Sequence, residues 1–429
     1  MAALFPRGAL VATLVGNTLE FYDFLTYAFL ASQIGHAFFP TDSELASLLL
    51  SVATFGIGFL TRPLGGIVIG AYADRVGRKP ALLLTIALMS VGTLGLVLTP
   101  SYATIGIAAP LILVASRLVQ GLALGGEVGP ANAVLLEAAP PDQRALFISL
   151  QSATQGLAIL AAGIVGLIVK AAMTDAQLAS WGWRLPFAAG LVLIPVGLYM
   201  RAALPETLPD PEHESAGAVF RAVWHQHRRE VVLLVLVLSC GTIMTYIGTY
   251  MTTYAQKTLG MSAEDGFIVQ IVNGAEWLIL APLAASLCER YGRRTTLLAS
   301  RILTILAPVP AFVFLDHERT LAALIICVLV LNAIAVPGTV ANLTVMAEVF
   351  PAGSRSAGIA LTYAAGVTIF GSTTQFAITW LLGVTGDPLS PAYYAAGSAL
   401  LSTIATIYLF RGSALRPVAP ELVLRDVTP

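Results

Sequence analysis

The sequence predicts an all-α polytopic membrane protein of twelve transmembrane helices in two six-helix pseudo-repeat halves. Three observations carry this: an apolar composition, about twelve apolar stretches of spanning length, and two short motifs that each occur twice. Of the 429 residues, 57% are hydrophobic and 11% charged, less than half the charge of a typical soluble domain. A soluble chain of this length covers several cores with polar surface. Here that surface is missing, so lipid must be the main outer solvent. The formal net charge of −1 argues against nucleic acid as a partner. Cys240, Cys288 and Cys327 lie inside apolar runs without CxxC or metal-ligand spacing. The five histidines fall in loops or at their edges, so no metal site is expected.

The apolar stretches lie near 9–34, 44–72, 80–99, 103–128, 144–170, 184–203, 230–256, 265–288, 295–315, 320–347, 356–384 and 390–411. Each approaches the roughly 20 residues a helix needs to cross a bilayer. The first carries Glu20 and Asp23 and lacks a small-residue cleavage site, so it is expected to be retained. With the N-terminus inside, 16 of the 23 Lys and Arg residues fall on cytoplasmic segments. Four lie outside, and Arg62, Arg117 and Arg301 lie within spans. That bias predicts two cytoplasmic termini.

The longest cytoplasmic connection divides the chain into an N-terminal half (1–203), a linker (204–229) and a C-terminal half with a short cytoplasmic tail (230–429). The linker opens with Pro205, Pro209 and Pro211; Val219, Phe220, Val223 and Trp224 then share one helical face, which predicts a short helix in the membrane interface. The duplication is explicit. Asp74-Arg75-Val76-Gly77-Arg78-Lys79 recurs 215 residues on as Glu289-Arg290-Tyr291-Gly292-Arg293-Arg294. Glu137-x-x-Pro140-x-x-x-Arg144 recurs 211 residues on as Glu348-x-x-Pro351-x-x-x-Arg355. Two motifs in near register argue for a repeated six-helix unit, whose substrate site belongs between the halves near the midplane.

Gly70-x-x-x-Asp74-Arg75-x-Gly77-Arg78-Lys79 resembles the loop between helices two and three of the major facilitator superfamily. Further stretches resemble its metabolite:proton symporter family. They are Gly16-Asn17-x-x-Glu20-Phe21-Tyr22-Asp23-Phe24, Arg62-Pro63-x-Gly65, Arg117-x-x-Gln120-Gly121-x-x-x-Gly125-Gly126-Glu127, Trp181-Gly182-Trp183-Arg184-Leu185-Pro186-Phe187 and Leu204-Pro205-Glu206-Thr207. Phe38-Phe39-Pro40, Thr104-Ile105-Gly106-x-x-Ala109-Pro110 and Leu382-x-x-Thr385-Gly386-Asp387 are similar to bacterial citrate–proton and tricarballylate symporters. The resemblance implies a bacterial-type inner (plasma) membrane, a small organic anion such as a di- or tricarboxylate as substrate, and the proton as coupling ion. It implies no other cofactor and no obligatory protein partner. It further implies that Asp74, Arg75, Gly77, Arg78, Glu289, Arg290 and Arg293 latch the inner side. Glu289 stands where that pattern usually has Asp and keeps its charge.

Charges inside spans cost about 2.5–3.5 kcal/mol each on insertion scales and should face a cavity or a partner. Glu20 and Asp23 lie one turn apart on the first helix, after Asn17. Asp23 is the first candidate for the coupling proton, with Glu20 and Glu127 as alternatives. Arg117 is the candidate anchor for a substrate carboxylate. Asp23 beside Arg117 would stay ionised until a substrate carboxylate took the guanidinium. Arg62 is expected at the inner gate, paired with Glu127, and Arg301 is expected to snorkel to the inner surface. Glu276 is a cavity residue, a second proton site, or a partner of Asn273 and Arg301. Asn17, Gln155, Tyr250, Asn342 and Gln375 complete the predicted substrate-binding set. Gln151 shares a face with Gln155, and Tyr246, Tyr250, Thr253 and Tyr254 form a hydroxyl strip.

Gly66-x-x-x-Gly70 and Gly121-x-x-x-Gly125 read as close helix packing; no Walker motif is present. An enzyme would need a nucleophile, metal or acid–base cluster at the membrane edge, and none is evident. A channel has no need of repeated cytoplasmic latches. The open alternatives share the fold: a symporter of another small metabolite (a zwitterion, or an aromatic or hydroxy acid), a facilitator, or an antiporter.

Overall fold

The computed structural model describes residues 7–76, 78–125, 135, 139–140, 143–202, 216–351 and 354–411. Among them the chain is helical, with no strand. The helices group into twelve rods: α1 (Arg7–Phe29), α2 (Glu44–Leu60 continued by Arg62–Val76), α3 (Arg78–Leu98), α4 (Ala108–Gly125), α5 (Arg144–Ala172) and α6 (Arg184–Ala202). Then come α7 (Ala216–Lys257), α8 (Ala263–Tyr291), α9 (Arg293–Leu306 and Pro308–Glu318), α10 (Leu321–Val349), α11 (Arg355–Gly366, a π turn Val367–Gly371, and Ser372–Thr385) and α12 (Ser390–Arg411).

Among the described residues, nine helices are long and apolar enough to cross a membrane, and the bent α9 makes a tenth if its two pieces form one span. The sequence reading expected twelve. Asn17, Glu20 and Asp23 make α1 less apolar than its neighbours.

Local chemistry sets the ends and breaks. Ser43 caps α2 by accepting from the Ala46 amide at 3.3 Å, and Ser262 with Asp265 forms a capping box on α8. Thr320 caps α10. Prolines mark the bends, because each removes an N–H donor. α9 turns by 40° just before Pro308. In α2 the helix breaks at Thr61, and Pro63 cannot donate to the Phe59 carbonyl. That carbonyl accepts instead from the Thr368 hydroxyl of α11, at 2.9 Å. The break thus becomes a contact between the first six helices and the last six, next to the π turn of α11.

Two helix pairs bring these groups of six together. α5 and α8 make the most extensive contact in the molecule. It is close enough that a Cβ on Gly274 would stand 2.6 Å from the Gly156 carbonyl oxygen. α2 and α11 meet at Gly56, where a Cβ would stand 2.3 Å from the Ser372 carbonyl oxygen. Within the first six helices, Gly121 and Gly125 do pack closely as expected, against the Gly58 and Arg62 carbonyls of α2. The two groups also touch at both ends. Glu44 at the start of α2 pairs with Lys257 at the end of α7 (3.1 Å). At the other end the Glu289 carboxylate of α8 accepts from the Ala145 amide of α5 (2.8 Å).

A helix is present at 216–224 as expected, and non-helical angles at His227 (φ −125°, ψ 25°) separate it from the rest of α7. Val223 is buried and Trp224 exposed. Residues 203–215 lie outside the described residues. Arg301 corrects the snorkelling expectation. It is fully buried, donating from Nε to Ser402 Oγ (2.8 Å) and from Nη2 to the Val237 carbonyl (3.2 Å). Those acceptors lie on α12 and α7, near enough that the side chain ties three helices together rather than stretching to the surface.

Candidate functional site

A buried polar cluster is built by α1, α3 and α4, with α2 packed against it. On α1, Asp23 and Phe24 are adjacent, so they face different neighbours. Asp23 turns towards α3 and α4. Its Oδ2 accepts from the Thr93 hydroxyl and from Gln120 Nε2, the latter at 2.6 Å. Gln120 Nε2 also reaches Thr93 Oγ1 at 3.1 Å. Gln120 Oε1 in turn accepts from Arg117 Nη1 at 2.7 Å. Arg117 and Gln120 are three residues apart on α4 and therefore share a face.

This corrects the expected direct pair of Asp23 and Arg117. Neither takes part in an ion pair among the described residues. The Gln120 amide stands between them, its oxygen towards the cation and its nitrogen towards the carboxylate. Arg117 is fully buried, with Nε and Nη2 unpartnered. Its guanidinium lies over the rings of Phe24 (4.5 Å), Tyr27 (4.6 Å) and Phe55 (5.4 Å).

Asp23 Oδ1 has no hydrogen-bond partner. With Glu20, Thr93, Met89 and Gly190, Asp23 lines a cavity of about 30 Å³ between α1, α3 and α6. That volume admits water and excludes an organic anion. Glu20 is itself buried and close enough to act electrostatically on Arg62.

Arg62 is not placed as the inner-gate reading expected. It is buried beneath the rings of Phe24 (4.7 Å) and Phe59 (4.3 Å), in the same aromatic cluster as Arg117. No carboxylate among the described residues forms an ion pair with it. Its proposed partner Glu127 lies outside the described residues. The break at Thr61 and the rings of Phe24 and Phe59 set this position, drawing the guanidinium inward.

The other predicted residues divide. Gln155 interacts with the Tyr363 hydroxyl across the interface, and Tyr363 and Tyr246 lie near Arg62. Asn17 is engaged on both sides of its amide, by Thr154 (2.6 Å) and Gln151 (3.0 Å) of α5. Tyr250 accepts from Thr379 at 2.9 Å, and Gln375 donates to Thr249 at 3.3 Å. Tyr254 stands near the end of α7 and donates to the Pro388 carbonyl at 2.9 Å. Asn342 is buried with both amide atoms unpartnered. Glu276 is half-buried and accepts from Asn332 at 2.9 Å. Asn332 also bonds Asn273 (2.9 Å), so Glu276 joins an amide network of α8 and α10, not Arg301.

The second loop motif has the geometry of a clasp. Arg293 donates from Nη1 to Glu289 (2.8 Å), and from Nε (3.3 Å) and Nη2 (3.0 Å) to both oxygens of Glu348 at the end of α10. Glu289 meanwhile receives the Ala145 amide at the N-terminus of α5, where a helix favours negative charge. Arg290 is an exception to the expected clasp, since it is exposed and lies over the Tyr291 ring. Gly292 (φ 85°) ends α8 and lets α9 begin at Arg293, which turns the Arg293 side chain back onto Glu289 of α8. Gly77 and the side chains of Asp74, Arg75 and Arg78 lie outside the described residues.

A sequence profile of the Major Facilitator Superfamily matches residues 10–372. The chain belongs to the major facilitator superfamily. It is 35% identical over 411 residues to a citrate-proton symporter of Klebsiella pneumoniae, covering 95% of this chain and 93% of that protein. It is 32% identical over 409 residues to an alpha-ketoglutarate permease of Escherichia coli, covering 94% and 93%. The crystal structure of a D-xylose-proton symporter superposes with a TM-score of 0.74 over 94% of this chain and 97% of that one, at 19% identity. That likeness speaks for the shared fold. The twelve-helix superfamily fold is therefore the architecture of this chain.

Sequence reading missed Gln120 as the bridge, Thr93 as the second donor to Asp23, and the aromatic cluster of Phe24, Phe55 and Phe59. Gln120 had a signal, its i, i+3 spacing from Arg117. Thr93, 70 residues from Asp23 along the chain, had none.

Proposed function

We propose that this protein imports a small organic anion together with protons by alternating access, with citrate, tricarballylate and related dicarboxylates as the first candidates. The observation that carries the reading is the buried chain Arg117–Gln120–Asp23, which has an open cationic edge at one end and an open carboxylate oxygen at the other. The Nε and Nη2 atoms of Arg117 form the two-pronged edge that suits a carboxylate. The named activities of the relatives point to the same substrate class.

Coupling follows from electrostatics along this chain. A substrate carboxylate on the Nε/Nη2 edge neutralises Arg117 without displacing Gln120. Asp23 then loses the positive field that supported its charge in a poorly solvated place, and takes a proton at Oδ1 from the side of the small cavity. The mechanism needs no exchange of partners at Asp23. Glu20, lining the same cavity, is the alternative proton carrier. Clasp and outer contacts alternate as the two halves rock, with the Glu289–Arg293–Glu348 cluster holding the inner side.

Citrate, tricarballylate and C4–C6 dicarboxylates are expected to compete for one site in an uptake assay with labelled citrate. Preference for betaine or proline over all of these would overturn the anion reading and leave the fold intact. We place the protein in a bacterial inner membrane with both termini cytoplasmic. Cysteines introduced at Asp42 and Asp316 are expected to react with an impermeant reagent from outside, and one at Ser354 only after permeabilisation. The native cysteines are buried, which keeps the background low. Labelling of the Ser354 position in intact cells would reverse this orientation.

A further inference from the structure

We propose that Arg62 and Arg117 together bind two carboxylates of one substrate molecule, each guanidinium offering one two-pronged edge. The site then selects organic anions with at least two carboxylates. This rests on the organic-anion reading above and adds to it a second anchor, in place of the gate role the sequence suggested for Arg62.

The two arginines match in detail. Arg62 and Arg117 are 2% and 0% exposed. Both leave the same two atoms, Nε and Nη2, without a hydrogen-bond partner. These two atoms form the side-on fork that takes both oxygens of one carboxylate. The single ring of Phe24 lies under both, at 4.7 Å from the Arg62 guanidinium carbon and 4.5 Å from that of Arg117. The two carbons are therefore no farther apart than the sum of those distances. A C4–C6 diacid, with two to four carbons between its carboxylates, spans a gap of that order.

Energetics favour a dianionic ligand. Two buried like charges repel, and burial without an ion-paired carboxylate is unfavourable for each. Aromatic faces compensate only in part. A single carboxylate would satisfy one fork and leave the other unpaired. A diacid satisfies both, and the flat rings hold the guanidinium planes in place before it arrives, which lowers the cost of ordering them.

The test is a cycle between protein and ligand, measured by calorimetry on the purified full-length protein with glutarate and monomethyl glutarate. For the wild type, the diacid is expected to bind roughly tenfold to a hundredfold more tightly than the monoester, the range for hydrogen bonds to a charged group. In Arg62→Gln that ratio is expected to fall to near one. In Arg62→Lys it should fall partway, because an ammonium cannot fork. The ratio is taken within one protein sample, so a reduced folded fraction cancels, and the wild-type comparison needs no variant. A wild-type ratio near one, or an unchanged ratio in Arg62→Gln, overturns the two-anchor site while the anion reading stands. Binding of betaine with no binding of either acid removes the anion reading and this inference with it.

Discussion

Asp23→Asn is expected to abolish accumulation of substrate against its gradient while exchange of labelled for unlabelled substrate across the membrane continues. The expected size is large because coupling is lost outright. At a membrane potential of 100 mV, each net positive charge that enters contributes about 2.3 kcal/mol, roughly fifty-fold in concentration ratio. An anion moving without protons is driven outward by that potential. Asparagine keeps the shape and can still accept from Thr93 and Gln120 through its amide oxygen, so the site should survive. What it loses is the titrating oxygen Oδ1, which lines the small cavity with Glu20. Counterflow and uphill uptake in proteoliposomes, measured on the same preparation, check this. Continued uphill uptake with normal proton movement in Asp23→Asn would transfer the coupling role to Glu20 or Glu127.

The second large effect is expected at the inner clasp. Arg293→Ala leaves Glu289 and Glu348, both within reach of one guanidinium, facing each other as unpaired acids. Their side chains are 26% and 21% exposed, so solvent screens part of the penalty. A net cost on the order of 2 kcal/mol is reasonable for charged hydrogen bonds lost in such a place. Because Glu289 also holds the α5 N-terminus, that cost falls on the state in which α5 and α8 meet at the inner end. The ratio of inner-closed to inner-open protein should shift about thirty-fold. Pulsed distance measurements between spin labels on α5 and α8 report it directly. Arg290→Ala, removing an exposed arginine outside the clasp, should leave the distribution nearly unchanged. Equal effects of the two substitutions would mean that the loop acts through net charge alone.

How far the sequence could be read follows the range of the interactions. The helices were legible because hydropathy is a local property, and the polar residues that build the site, Glu20 and Asp23, stand out in α1 for the same reason. The clasp was legible because it is repeated, with the acid and the arginine on either side of the Gly292 turn between α8 and α9. Asp23, Arg117 and Arg62 were legible as candidates because a charge in a span needs a reason. Their partners were not. Whether Arg117 meets Asp23 directly or through Gln120 depends on how α1, α3 and α4 pack, with separations of 70 and 97 residues between the bonded positions. Arg301 shows the same limit. Its depth along the helix suggested snorkelling, but Ser402 and the Val237 carbonyl, both distant in sequence, make a buried position favourable.

The measurement that bears most directly on proton-coupled anion import is the external pH of lightly buffered proteoliposomes holding the purified protein, followed as citrate or tricarballylate is added. The medium is expected to become alkaline in step with uptake of labelled substrate, and a protonophore should collapse the accumulation. Uptake of the same anion with no change in external pH, undiminished by the protonophore, would contradict it.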